Sequence, residues 1–222
     1  MSTDWCTASV NALDEETCFV LPAERTDTLL IYLHGIVPPT KESRQKTNFE
    51  AVVANASGRA RVAALLPRGD LGLAGPKYRE WWGWPTGEPG YRAHGARLVK
   101  KIGEKRAALE RVAGARFERV YVAGSSAGAY FVAALALHGA IEADGFGAMS
   151  GGAGWRTPEL AKLPPKRFYV GYGAYDSVAS SARALGELLR AAGWPVRVAE
   201  HPLGHGAKEI YLDEAFAFWR GD

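Results

Sequence analysis

The chain has 222 residues, 47% of them hydrophobic and 23% charged, which suits one α/β domain spanning 1–222 and excludes disorder, collagen and coiled coil. Lys and Arg number 27 against 24 Asp and Glu, and the net charge of +3 is interleaved along the chain, so nucleic acid has no electrostatic footprint. No apolar run approaches the roughly 18 residues of a membrane span, so no transmembrane segment is expected.

At the N-terminus no basic stretch precedes an apolar one, which is the pattern of a cytoplasmic protein rather than a secreted precursor. Cys6 and Cys18 flank a turn-like Asn11-Ala-Leu-Asp14 segment. They read either as the pin of a disulfide-bonded hairpin in a secreted protein or as two unrelated thiols. Strands are predicted at 18–21 and 28–34, then a helix at 40–57 with a polar start and Phe49, Val52 and Val53 on one side. A strand at 62–67 is followed by an irregular stretch, 68–90, that is rich in Gly and Pro and carries Tyr78, Trp81, Trp82 and Trp84. In the next predicted helix, 91–113, Leu98, Ile102, Leu109 and Val112 form one stripe and the charge run is a solvated face. Strands at 119–123, 145–149, 167–172 and 196–201 then alternate with helices at 127–137, 180–192 and 208–220. Such alternation is the pattern of a mostly parallel sheet covered by helices on both faces, a three-layer α/β architecture.

Gly124-Ser125-Ser126-Ala127-Gly128 is a Gly-X-Ser-X-Gly sequence set between a predicted strand and an Ala-rich predicted helix. Strand, turn and helix are the setting of a nucleophile elbow, in which the glycines allow the sharp turn that lifts the serine hydroxyl above the sheet edge. A serine is a poor nucleophile until a base takes its proton, and that base is a histidine oriented by a carboxylate. After such an elbow the chain order is carboxylate, then histidine. Asp176 follows the strand 167–172, at the sheet end where parallel sheets place functional groups, and His205 lies between the last strand and the last helix. Asp144 precedes a strand and so lies at the wrong end; Asp213 and Glu214 fall inside the final helix. His201 still belongs to a strand, and His94 and His138 belong to helices. For the oxyanion, the backbone N–H of Ala127 is one donor, and the turn Leu33-His34-Gly35-Ile36 offers the N–H of Ile36 as the second, with His34 holding the loop. No metal-ligand spacing and no phosphate-binding Gly-rich loop is present, so no cofactor is expected.

On Leu33-His34-Gly35, Pro67-Arg68-Gly69, Trp81-Trp82-Gly83-Trp84-Pro85, Gly124 to Gly128, Met149-Ser150-Gly151, Gly173 to Val178 and Gly204-His205, the sequence resembles the α/β-hydrolase fold. Over nearly its whole length it is similar to the small carboxylesterase/phospholipase-like serine hydrolases, with poly(3-hydroxybutyrate) depolymerase-like and feruloyl esterase-like proteins as near relatives. Ala127 stands where the carboxylesterase/phospholipase-like group commonly has Gln. The resemblance implies a triad of Ser126, Asp176 and His205, oxyanion donors at Ile36 and Ala127, and a small-molecule ester as substrate. With no room for a large inserted lid, the site is expected to be open and to favour short-acyl or aromatic and sugar-linked soluble esters. Trp81, Trp82 and Trp84 read either as substrate-binding walls or as a hydrophobic plug for their loop. A serine peptidase or amidase, and a hydrolase-fold binding protein without activity, are the alternatives.

Overall fold

Every residue of Thr28–Leu33 is buried, as a strand covered on both faces requires. In the computed structural model, which describes residues 5–40, 42–152 and 160–221, this strand lies at the centre of an eight-stranded sheet. Residues 1–4, part of the N-terminus read above, and residue 41, near the predicted start of the first helix, lie outside the described residues.

The elements are β1 (Asn11–Asp14), β2 (Thr17–Val20), β3 (Thr28–Leu33), α1 (Arg44–Ala60), β4 (Ala63–Pro67), β5 (Asp70–Leu71), β6 (Trp82–Gly83), α2 (Glu88–Ala113), β7 (Arg119–Ser125), α3 (Ala127–Leu137), β8 (Gly145–Met149), β9 (Arg167–Gly173), α4 (Ala179–Ala191), β10 (Val196–His201) and α5 (Glu209–Arg220). The sheet order is β1-β2-β4-β3-β7-β8-β9-β10. The β1–β2 and β2–β4 pairs are antiparallel, and every other pair in this sheet is parallel. Strand side chains alternate between two cores. Leu29, Ile31 and Leu33 pack with Leu98 and Ile102 of α2, Phe131 of α3 and Leu185 of α4. Leu30 and Tyr32 pack on the other face with Phe49 and Val53 of α1 and Leu212 and Phe216 of α5. The three layers expected from the alternation of strands and helices are thus present, and only residues 150–166 separate β8 from β9.

Three local readings are corrected. Asn11–Asp14 is a strand, not a turn: it pairs with β2, and the reversal falls at Glu15-Glu16. Helix α1 begins at Arg44 rather than at residue 40, because the Ser43 side chain accepts from the Lys46 N–H and caps the helix there. Helix α2 begins at Glu88, with Pro89 in its first turn, where the missing proline N–H costs nothing.

Cys6 is bonded to Cys18 of β2. The bond anchors the segment carrying Trp5, which is buried and lies 5.3 Å, ring to ring, from His34. Beside it the Thr7 N–H donates to the carboxylate of Glu50 in α1 at 2.9 Å. Burial raises the Glu50 pKa. No helix of the described residues is long and apolar enough to cross a membrane.

Candidate active site

The parallel strands β3, β7, β8, β9 and β10 all end at one edge of the sheet, and the candidate residues gather there. Ser126 lies between β7 and α3 with φ 51° and ψ −121°, a conformation that is costly for any residue with a Cβ. Its N–H donates to Met149 O at 3.0 Å, which ties the turn to the neighbouring strand end. The elbow glycines are required by space. A Cβ at Gly128 would lie 1.9 Å from Leu33 O, and one at Gly124 would lie 2.7 Å from the same oxygen. Helix α3 therefore starts directly against the end of β3.

His205 sits in the loop between β10 and α5. Its Nε2 is 2.9 Å from Ser126 Oγ. Its Nδ1 is 2.9 Å and 3.0 Å from the two carboxylate oxygens of Asp176, whose side chain is fully buried. The carboxylate also accepts from the Val178 N–H at 3.0 Å. An acceptor-only carboxylate at Nδ1 requires the proton there, which leaves Nε2 free to accept from the serine hydroxyl. Gly173 has the same spatial role here as Gly128 at the elbow: a Cβ would lie 2.0 Å from Leu203 O, so only glycine lets the histidine loop cross the end of β9.

Opposite this chain of hydrogen bonds, a Cβ at Gly35 would lie 3.1 Å from Ser126 Cβ and 3.7 Å from its Oγ. The turn His34–Gly35–Ile36 therefore passes over the serine. Two anchors hold it. His34 donates from Nδ1 to Gly35 O and accepts at Nε2 from the Gly69 N–H at 2.9 Å. Val37 and Trp82 exchange backbone hydrogen bonds of 2.9 Å each. Ile36 lies between the anchors, and Ala127 is the first residue of α3, where an N–H has no acceptor within the helix. The helix dipole adds partial positive charge at that end.

His34 is buried, and burial together with the charges of Arg68 and Lys101 pushes its pKa down to about 4. The unfolded chain would bind this proton near the ordinary histidine value of 6.5. Stability from neutral His34 is thus fully present above pH 6.5 and is lost as the pH falls to about 4. The loss amounts to about 3 kcal/mol. Urea denaturation of wild type and His34→Asn between pH 7 and pH 4 is expected to show that extra loss in the wild type alone. Parallel losses in the two proteins would refute it.

Of the three tryptophans in the aromatic loop, one is fully enclosed. Trp84 is fully buried, stacks on Phe131 at 5.5 Å and lies 5.6 Å from His34. A ring with no exposed surface cannot line a substrate wall, so for Trp84 the plug replaces the wall. Trp82 is covered by the Arg68 guanidinium, 3.9 Å from its ring centroid, and has the Trp5 ring 6.3 Å away. Arg68 is held in turn by Glu16 at 2.6 Å, and Lys101 links Glu16 to Asp70 at 2.9 Å and 3.0 Å. Trp81 is half-buried and lies edge-on to Tyr78.

The carboxylates and histidines set aside above lie elsewhere. Asp144 accepts from the Val120 N–H at the opposite end of the sheet, Asp213 pairs with Arg59, and Glu214 accepts from Tyr169. His201 is 3.3 Å from Glu214, and His138 stacks on Tyr91. Sequence reasoning gave no role to Ser150 and passed over Asn48, which bind the backbone of the histidine loop at Gly206 and Ala207. The signals for Ser150 were its place directly after a strand and its membership of Met149-Ser150-Gly151, one of the pieces that carry the resemblance. Among the described residues, no group of three His, Cys, Asp or Glu could hold a metal ion.

No protein-family model and no curated protein sequence matches the chain. Solved structures do. A carboxylesterase of Bacillus cereus superposes with a TM-score of 0.67 at 16% identity, covering 92% of this chain and 93% of that one. SOBER1 of Arabidopsis thaliana gives 0.64 at 16% identity, covering 87% and 98%. Acyl-protein thioesterase 2 of Zea mays gives 0.62 at 16% identity, covering 92% and 97%. At this level of identity the likeness is one of fold: the chain has the α/β-hydrolase fold.

Proposed function

We propose that the protein is a serine hydrolase that cleaves carboxylic esters through an acyl-enzyme on Ser126. The observation that carries this reading is the unbroken run of hydrogen bonds from Ser126 Oγ through His205 to the buried Asp176, set at a strained elbow. In the first half-reaction, Ser126 Oγ attacks the ester carbonyl carbon while its proton passes to His205 Nε2. Asp176 holds the ring and stabilises the imidazolium. The carbonyl oxygen becomes an oxyanion, for which the N–H groups of Ile36 and Ala127 are the donors. Collapse of the tetrahedral intermediate breaks the bond to the alcohol oxygen, which leaves with the proton from His205. In the second half-reaction His205 takes a proton from water, the hydroxide attacks the acyl carbon, and Ser126 is released with the proton returned to its oxygen.

The 45% exposure of the His205 side chain favours an open site. Such a site suits short, soluble esters, because long acyl chains need an apolar surface to bury them. Two of the similar structures, a carboxylesterase and an acyl-protein thioesterase, support this reaction type. Hydrolysis of p-nitrophenyl esters from acetate to palmitate is expected to peak at the short end. A maximum at palmitate would overturn the open-site reading, and a folded protein inactive on the whole series would overturn the esterase.

A further inference from the structure

The His205 ring is held by hydrogen bonds at its two nitrogens more than by packing, since 45% of the side chain is exposed. Its neighbours in sequence are Gly204 and Gly206. Glycine gives the backbone its greatest freedom, so a loop of this composition does not by itself keep a ring in place. Something else must fix it.

Strand β8 ends at Met149, whose carbonyl accepts from the Ser126 N–H. The next residue, Ser150, is fully buried and has φ 51°. Only three described non-glycine residues have positive φ, and another of them is Ser126 itself. In this region glycine is comfortable and other residues are strained, so backbone geometry alone gives no reason for serine at 150. The hydroxyl supplies one. Ser150 Oγ donates to Gly206 O at 3.0 Å and accepts from the Gly206 N–H at 3.2 Å. One side chain thus satisfies both polar groups of the residue that follows His205. Its own N–H is fixed on Gly171 O at 2.8 Å, so the clamp is rooted in β9, the strand that leads to Asp176. From the other side, Asn48 of α1 donates Nδ2 to Ala207 O at 3.2 Å.

We infer that Ser150, seconded by Asn48, is a positioning residue for His205. It touches no reacting atom. Met149 holds the nucleophile and Ser150 holds the base loop, so two consecutive residues at the end of β8 set the distance between Ser126 Oγ and His205 Nε2. The inference rests on the catalytic reading above for its effect on rate, and on geometry alone for its effect on the ring.

The discriminating variant is Ser150→Gly, which relieves the positive φ and deletes only the clamp. Its melting temperature is expected to match or exceed that of the wild type, with KM within about 2-fold and kcat down about 10- to 100-fold, the scale of a misplaced catalytic group. In the proton NMR spectrum the low-field resonance of the His205 Nδ1 proton is expected to broaden or vanish. Asn48→Ala changes an exposed residue that folding tolerates, and is expected to give the same split with a smaller fall in kcat. Should Ser150→Gly prove unstable, Asn48→Ala together with the NMR signal still decides the matter. Unchanged kcat and an unchanged resonance in the variants would overturn the inference. A wild type that neither hydrolyses esters nor reacts with a fluorophosphonate would instead overturn the esterase reading, and the NMR comparison would still test the clamp.

Discussion

Ser126→Ala is expected to lower kcat on p-nitrophenyl acetate by about 10⁴-fold or more and to abolish labelling by a fluorophosphonate. A factor of 10⁴ corresponds to about 5.5 kcal/mol of transition-state stabilisation. On the proposed mechanism the substitution removes the atom that carries the acyl group, while the proposed oxyanion donors and base remain, so a small residual rate is expected. Folding is left almost untouched. The hydroxyl is at the apex of the turn, and alanine has the same conformational cost at φ 51° as serine. Thermal melts of the two proteins should therefore coincide within a few degrees. A variant retaining a tenth of the activity would remove Ser126 from the reaction.

Gly128→Ala is expected to damage the fold itself. Its Cβ would lie 1.9 Å from Leu33 O and 2.5 Å from Leu33 C. Both are backbone atoms of a central strand and cannot swing aside as a side chain would, so helix α3 or the end of β3 must shift. The expected cost is on the order of 3 kcal/mol or more, at the upper end of what overpacking produces. The turn proposed to hold the oxyanion begins at the residue after Leu33, so activity should fall further than stability accounts for. Gly103→Ala is the matched control. Gly103 lies in the middle of α2, exposed, with nothing within 4 Å of an added Cβ. Alanine there should stabilise by about 0.5–1 kcal/mol, because glycine loses more freedom in a helix. Urea denaturation of both variants measures the contrast, and equal midpoints would refute it.

What could be read from the residues, and what could not, follows from the range of the interactions. The seven predicted strands announce themselves by apolar runs, and the helices by their stripes, because burial of a whole face repeats along the chain. That Ser126, Asp176 and His205 come together was legible for a related reason: each lies just past a strand end, where a parallel sheet gathers its loops. Strand β1 was missed because Asn11–Asp14 lies at a sheet edge, has polar residues at both ends and buries no residue fully. The ribbon β5–β6 has two residues in each strand, too few for any period. Trp84 was ambiguous since a tryptophan in an irregular loop gives no sign of which way it faces; its burial depends on Phe131 and His34, far off in the chain. The Ser150 clamp joins residues 56 positions apart through one hydroxyl. Nothing periodic accompanies such a bond.

The separation between Ser126 and His205 also has a consequence in time. They are 79 positions apart, and His205 follows β10, the last strand of the sheet and one of its two edges. Strand β10 pairs only with β9, from Val196 opposite Phe168 to His201 opposite Gly173. A slip of one residue in that pairing would carry the imidazole about 3.3 Å along the strand, enough to part it from both Asp176 and Ser126. On a chain emerging from the ribosome, the elbow and its neighbouring strands exist before the base has been synthesised. On the proposed mechanism the nascent protein thus carries an inert serine, reactivity begins only when the final edge strand docks in register, and its onset during refolding is expected to mark the completion of the sheet.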